Sequence, residues 1–464
     1  MIKILDTLSG QKKELVLDKN NRLNMFVCGP TVYDYIHIGN ARTFVFFDVV
    51  AKYLKHKGWK VDYIQNITDI DDKIINKSRS ENKKWKEIAD SYFEEFKKDA
   101  MALGIDSPRY LRATNYIDEV KNQVKKLKKK GHVYLVENDG WYFDLKTFPE
   151  YGKLSKRTVE MSDDAISRID ESAKKRNMGD FVVWKLSDPS ETEYWHDKEL
   201  GHGRPGWHIE DTAITEKEFG PQYDLHGGGQ DLIFPHHEAE ITQQESASGK
   251  KPFVKYWMHV GFLINKDQKM SKSLGNFQTA NELIKKHSKE VLRFFLLSGH
   301  YRTPIDFNDK VLKQSEAGIN RIYEFIQKLN LAVGKGKDEA EDLLIAEIQK
   351  KFFEALDDDF NTSQAIASIF ELIRRINARV TNNSLTRTGV KDIKKFLKKA
   401  DEILGIIPSK RDEPSIEVKA LIKDREKLRE AGNFIDADKK RAQIEEMGYK
   451  IEDTVYGPLI TRRT

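Results

Sequence analysis

Between residues 24 and 67 the spacing of apolar positions changes twice. Residues 24–28 form a short apolar run, Gly29-Pro30-Thr31 breaks it, 42–56 carry apolar side chains at helical spacing, and 59–67 return to the alternation of a strand. Strand, glycine turn, helix and strand in that order predict a parallel α/β sheet, whose ligands collect at the carboxyl ends of its strands. Cys28 falls at such an end. From about 116 to 220 the pattern differs: a lysine-dense segment at 121–130, an aromatic strand-like run at 133–143, polar sequence, then strand-like 180–184. This stretch reads as an insertion between two halves of the sheet domain. Beyond residue 305 strand signals fade and helical periods dominate, at 311–331, 339–356, 363–380 and 390–404. A linker-like 408–414, with a proline at each end, precedes a last short unit. The expected organisation is an α/β domain over 1–305, a helical bundle over 306–407 and a small domain over 415–464.

Composition narrows this picture. The chain has 464 residues, which at ~150 per domain suggests about three folding units. Its 79 Lys+Arg against 74 Asp+Glu leave a net charge of +5, too weak to argue for nucleic acid. The lysine-dense segment reads first as a solvated helix face. A single cysteine excludes an intrachain disulfide, a four-cysteine zinc ribbon and a C-x-x-C redox pair, and fits a reducing, cytoplasmic setting. No apolar run approaches the ~20 residues of a membrane span, and residues 1–6 lack a secretory apolar stretch, so no membrane association is expected.

Gly201-His-Gly203-Arg-Pro205-Gly206 has the glycine spacing of a dinucleotide-binding turn. Polar sequence precedes it and Pro205 sits inside it, so the strand-to-helix context that gives the pattern meaning is missing. No G-x-x-x-x-G-K-[ST] phosphate loop occurs either. Two other segments suit phosphates. His37-Ile-Gly39-Asn40, at the opening of the predicted helix, offers a ring nitrogen, an amide and backbone N–H groups to an anion. Lys269-Met-Ser271-Lys272-Ser273 offers two ammonium groups and two hydroxyls. Alone, the first reads as a helix cap and the second as a surface loop. Together, in this order on a βαβ framework, they resemble the paired signatures of class I aminoacyl-tRNA synthetases, which grip the phosphates of ATP. Within that class the chain resembles the cysteinyl-tRNA synthetases, through 26–34 (Phe26-Val-Cys28-Gly-Pro-Thr31), 66–73 (Asn66-Ile-Thr68-Asp), 203–210 (with Trp207-His-Ile-Glu210), 226–231 (His226-Gly-Gly-Gly-Gln-Asp231), 235–240 (Pro235-His-His-Glu-Ala-Glu240), 256–259 and the lysine loop.

The resemblance implies a Rossmann-like catalytic domain with an insertion, an anticodon-binding helical bundle and a small C-terminal domain. It also implies a monomer that joins L-cysteine to tRNA(Cys) at the expense of ATP carried with Mg²⁺. His37, Asn40, Lys269 and Lys272 take the catalytic positions; Asn40 replaces the usual histidine but still donates a hydrogen bond. Gly39, Gly228, Asp231, Ser271 and Lys272 fall on ATP-binding positions, and Gly29, Thr31, Thr68 and Trp207 on the amino-acid pocket. Core packing for Trp207 and a strand-end cap for Thr68 are the blander alternatives.

The family binds the substrate thiol to Zn²⁺ held by two cysteines, a histidine and a glutamate. Cys28 matches the first. If 236–240 is helical, His236 and Glu240 share a face, with His237 and Glu240 as the geometric runner-up. The second cysteine position holds Asp211. Either Asp211 ligates the metal, keeping the charge of a thiolate, or the metal has been lost and Cys28 is a small buried residue. Two further alternatives are a cysteine-adenylating ligase acting on an amino sugar and an inactive RNA-binding paralogue. The long helical tail speaks against the first, and the retained His37 and lysine loop against the second. Arg374, Arg375, Tyr456 and Arg462 are individually explained by a solvated surface.

Overall fold

The apolar run at 24–28 becomes strand β1, Arg22–Val27, in which Leu23, Met25, Phe26 and Val27 are fully buried. Burial of successive residues is what a parallel strand covered on both faces requires. This computed structural model describes residues 1–157, 174–188, 193–265, 268–269, 277–332, 334, 336, 338–382, 384–408, 414–454 and 457–462. The chain divides into two compact units, residues 1–286 with 301–306, and residues 287–300 with 307–464.

In the first unit β1 is the middle of a five-stranded parallel sheet. Its partners are β2 (Lys60–Ile67), β3 (Arg109–Arg112), β4 (Tyr223–Gly229) and β5 (Val254–Val260), in the order β5-β4-β1-β2-β3. The chain steps outward from β1 through β2 to β3, then returns to lay β4 on the other side of β1. Such a reversal opens a crevice beyond the strand ends, where ligands bind in open α/β sheets. Cys28 sits at that crevice, its N–H donating to Gly227 O at 3.0 Å.

Helix α1, Ile38–His56, starts four residues before the apolar spacing predicts because His37 caps it. Phe44, Val45, Phe46, Phe47, Val49, Val50 and Leu54 are buried. So is Arg42, at 1% exposure, whose guanidinium donates to Gly261 O (2.7 Å), Phe262 O (2.9 Å) and Thr303 O (2.7 Å). Burial lowers its pKa to about 10, which leaves it charged at neutral pH.

Between β3 and β4 lies a four-stranded antiparallel sheet, Val133–Val136, Gly140–Phe143, Phe181–Leu186 and Gly203–Pro205. The lysine-dense segment forms the helix Ile117–Lys129 just before it. Its cations are answered by acids: Lys121 by Asp118, Lys125 by Asp197, Lys126 by Glu216 and Lys128 by Glu199.

The second unit is mainly helical: Lys289–Ser298, Asp309–Leu331, Glu339–Asp357, Thr362–Thr381, Arg387–Leu404, Ile416–Glu430 and Phe434–Glu446. The helical periods read from sequence match these within three residues at each end. Strand signal does not end at 305, however, since Tyr449–Thr454 and Gly457–Arg462 pair as an antiparallel hairpin. Arg375 is held by Glu371 and Glu347, in keeping with its bland reading. Among the described residues no helix is long and apolar enough to cross a membrane.

Replacing Arg42 by Met would leave three carbonyls without their charged donor. The expected loss is about 3 kcal/mol or more in the free energy of unfolding, read from the chemical denaturation midpoint; an unchanged midpoint would show the bonds to be dispensable.

Candidate active site

The crevice is walled by two helices, α2 (Trp207–Phe219) and α3 (Glu238–Ser248), and by a widened turn at Ile233–His237 that enters α3. The two helices are joined by buried amides. Gln123 donates to Gln244 Oε1 (2.6 Å) and Glu216, Thr212 donates to Gln123 (2.6 Å), and Gln243 donates to His208 O (2.5 Å). Glu238 faces elsewhere, accepting from Leu154 N and Ser155 N, as its position relative to His236 predicts.

Cys28 Sγ lies 3.3 Å from Asp211 Oδ2, 3.8 Å from Glu240 Oε1, 3.1 Å from His237 Nε2 and 3.4 Å from His226 Nε2. His236 Nε2 is 3.0 Å from Asp211 Oδ2 and 2.9 Å from Glu240 Oε1. The four-residue spacing therefore does place His236 beside Glu240. Cys28, Asp211, His236 and Glu240 form one group whose donor atoms lie within 4.8 Å of one another, close enough that they could hold a metal ion, and Cys28, His226, His237 and Glu240 a second that shares two of its members. All are buried. His226 was not foreseen as a member, because a lone histidine on a buried strand is indistinguishable in sequence from a packed one.

A buried ring of this kind must be oriented from outside. His236 Nδ1 lies 2.8 Å from His208 Nδ1, His226 Nδ1 is 2.6 Å from Tyr223 OH, and His237 Nδ1 is 2.8 Å from His259 Nε2, whose Nδ1 meets Thr7 Oγ1 at 2.8 Å. Outward partners on the second ring nitrogen are what histidine ligands of metals carry. Asp211 Oδ1 and Glu240 Oε2 are buried and make no hydrogen bond. Orphaned carboxylate oxygens in a dry cluster of S, N and O donors fit a bound cation.

The protonation states agree. Burial, then Glu240 and Asp211, push the Cys28 thiol well above its ordinary range. Burial raises Glu240 against the pull of His236. Burial would depress His236, but Glu240 and Asp211 hold it up. Burial drives His226, His237 and His208 well below the usual imidazole range, so these rings are neutral. Without a cation, Glu240 and the sulfur keep their charge down by holding protons.

The other residues picked out in sequence surround this cluster. Trp207 stacks on His236, ring centroids 4.2 Å apart, and borders a cleft also lined by Asp71, Asp72, Arg204 and Glu210. Arg204 pairs with Asp72. Thr68 donates to Glu210 Oε2 at 3.0 Å, and its backbone bonds to Pro30 and Val32 carry β2 past Thr31. Gly29 N donates to Asn66 Oδ1 at 2.6 Å. A side chain at Gly228 would come within 2.7 Å of the His237 ring, so this glycine makes room for a histidine. Asp231 is exposed just past β4.

His37 Nδ1 accepts from the Asn40 backbone N–H at 3.1 Å, the capping role foreseen as its bland alternative, and a Cβ at Gly39 would crowd that nitrogen at 2.8 Å. The lysine segment is tied to the same end of α1. Upstream, Arg42 holds Gly261 and Phe262; downstream, Ile38 N donates to Gln278 O at 3.0 Å and His37 bridges Thr279. The backbone of Lys269 pairs with Ile264. Ser271 and Lys272 lie outside the described residues.

Residues 14–317 match the family described as tRNA synthetases class I (C) catalytic domain, and 351–408 match the DALR domain. The chain is 41% identical over 481 residues to the cysteine–tRNA ligase of Geobacter sulfurreducens, covering 98% of each, and 38% identical over 476 residues to that of Thermococcus onnurineus, covering 99% of each. In fold it is similar to Mycobacterium tuberculosis methionyl-tRNA synthetase in complex with methionyl-adenylate (TM-score 0.63, 14% identity, 83% of this chain and 92% of that one). It is similar also to the LeuRS of an Agrobacterium radiobacter K84 ternary complex with tRNA and LeuAMS (TM-score 0.62, 10% identity, 83% and 84%).

A divalent ion entering the cluster must displace the protons on Cys28, Glu240 and His236. All three sites are raised, so they are protonated at neutral pH and bare only at higher pH; affinity therefore rises with pH. Competition against a chromophoric chelator should give at least about a tenfold gain in zinc affinity per pH unit from 6 to 8. A flat profile would contradict the assigned protonation.

Proposed function

Because the chain belongs to the cysteinyl-tRNA synthetases, ATP-dependent ligases of the class I aminoacyl-tRNA synthetase family, we propose that it charges tRNA(Cys) with L-cysteine and selects that amino acid through zinc held by Cys28, Asp211, His236 and Glu240. The observation carrying the metal reading is the dry cluster around Cys28 with two carboxylate oxygens left unbonded. Three acidic ligands, once deprotonated, and a neutral histidine bring the same threefold negative charge to a divalent ion as two thiolates, a carboxylate and a histidine would. Bound there, zinc supplies a Lewis acid to which a cysteine thiolate bonds and a serine hydroxyl does not.

The reaction has two steps. The cysteine carboxylate attacks the α-phosphate of ATP, giving cysteinyl-adenylate and diphosphate, and the terminal ribose hydroxyl of the tRNA then displaces AMP. In-line phosphoryl transfer asks for position and charge stabilisation more than covalent help. His37, Asn40, Lys269 and Lys272 neutralise the phosphates, with Gly39 and Ser271 bringing N–H and hydroxyl donors and Mg²⁺ accompanying ATP. Asp231, exposed at the end of β4, accepts from the nucleoside ribose, and Gly228 keeps the strand end slim. Gly29 and Thr31 lie at the strand end that carries Cys28, and Thr68, oriented by Glu210, faces the amino acid with Trp207. Trp207 separates the metal cluster from the open cleft. The DALR match supports a tRNA-reading role for the 306–407 bundle. The reading makes the protein a cytoplasmic monomer with the small 415–464 domain beside the bundle.

Metal analysis of protein purified without added zinc should find one ion per chain, and tRNA transcripts should accept radiolabelled cysteine but not serine. Asp211→Asn should lose the metal and lower kcat/KM for cysteine activation by more than the ~10–100-fold that an outer supporting residue costs. Absence of stoichiometric metal would sink the zinc assignment, and absence of charging the synthetase assignment.

A further inference from the structure

Two donor sets meet at Cys28, and the function proposed above uses only one of them. Asp211 and His236 belong to the first, His226 and His237 to the second, and Cys28 and Glu240 to both. All six side chains are buried. His226 comes from strand β4 and His237 from the widened turn before α3, so two separate elements aim a ring at one sulfur.

The second set has the spacing of a coordination shell. Tetrahedral bonds of ~2.0–2.3 Å put neighbouring donors about 3.3–3.8 Å apart. His226 Nε2 lies 3.4 Å and His237 Nε2 3.1 Å from Cys28 Sγ. Glu240 is divided between the sets. Its Oε1 meets His236 at 2.9 Å, while Oε2, which makes no hydrogen bond, lies 3.5 Å from His226 Nδ1. A thiol has one proton to give. That proton cannot serve two imidazole nitrogens and two carboxylates at once. Tyr223 and His259 engage the other nitrogen of each ring, which keeps both Nε2 atoms turned to the sulfur.

Charge points the same way. Cys28, Asp211 and Glu240, once deprotonated, bring three negative charges to the cluster. One divalent ion leaves one of them over, and a substrate thiolate bonded to that ion makes the surplus two. Such a surplus is costly in a volume closed to water. A second divalent ion cancels it.

We propose that Cys28, His226, His237 and Glu240 hold a second divalent ion, of the zinc class that imidazole and thiolate suit, bridged to the first through the Cys28 sulfur and the Glu240 carboxylate. The first ion is the one in the function proposed above, and the pair rests on that reading. Two shared ligands and a neighbouring cation make the second position the weaker. It fills only when metal is added to protein that already carries the first ion.

The test titrates full-length protein with Zn²⁺ and, separately, with Co²⁺, following stoichiometry by calorimetry and the sulfur-to-cobalt absorption band. The parent should take up two equivalents in two resolved steps, and two cobalt ions sharing a sulfur should couple magnetically in electron paramagnetic resonance. His237→Gln should weaken the second step more than ~100-fold, beyond what loss of an outer supporting residue accounts for, and leave the first within about tenfold of the parent. His237→Cys, which returns a donor, should restore the second step. The parent's own titration is decisive without any variant: a single equivalent at saturation, held by Asp211 and His236, overturns the proposal and leaves the zinc assignment standing. A second equivalent that His226→Gln and His237→Gln both leave intact also overturns it. A single equivalent that survives Asp211→Asn and is lost in His237→Gln would instead refute the zinc assignment and leave the histidine position standing.

Discussion

Three groups that become anionic when deprotonated, Cys28, Asp211 and Glu240, share one desolvated volume at the end of the central strand. Stripped of water, they cannot all be charged unless something positive joins them. The surrounding structure follows from that demand. Imidazoles approach from a strand and from a turn, and each ring is fixed by an outward partner. Two helices are locked side by side by buried glutamines, so the donors converge to within 4.8 Å of one another.

Asp211 sets much of the character of that volume. A carboxylate brings two oxygens where a cysteine brings one sulfur, and here the second oxygen has no hydrogen bond. His226 and His237 add a further pair of neutral nitrogens on the far side of the sulfur. The donor set is thus richer and harder than two thiolates would make it. Trp207, stacked on His236, also lines the cleft beside Asp71 and Arg204.

Much of this was legible in the order of apolar positions. The alternation around 24–67 yields the β1-α1-β2 unit, and helical spacing after 305 yields the bundle, because each signal is local. His236 with Glu240 was legible for the same reason, four residues being one turn. His226, Tyr223, His208 and His259 were not, since their roles depend on elements far apart in sequence meeting at one sulfur. The start of α1 was legible from His37, read as a cap at the helix opening, although the apolar period itself begins only at 42. The terminal hairpin escaped because Tyr449–Thr454 mixes charged and apolar residues over a span too short to establish a period. Gly228 was read as an opening for a nucleotide; what the fold shows there is the seated ring of His237.

Helix α1 offers a last consequence. Its first residues hold both flanks of the lysine segment, Gly261 and Phe262 through Arg42, Gln278 and Thr279 through Ile38 and His37. Residues 262 and 278 are brought to one end of a single helix by folding, so the closure entropy between them is met before any ligand arrives. A single buried arginine thus holds in register residues separated by more than two hundred positions of sequence.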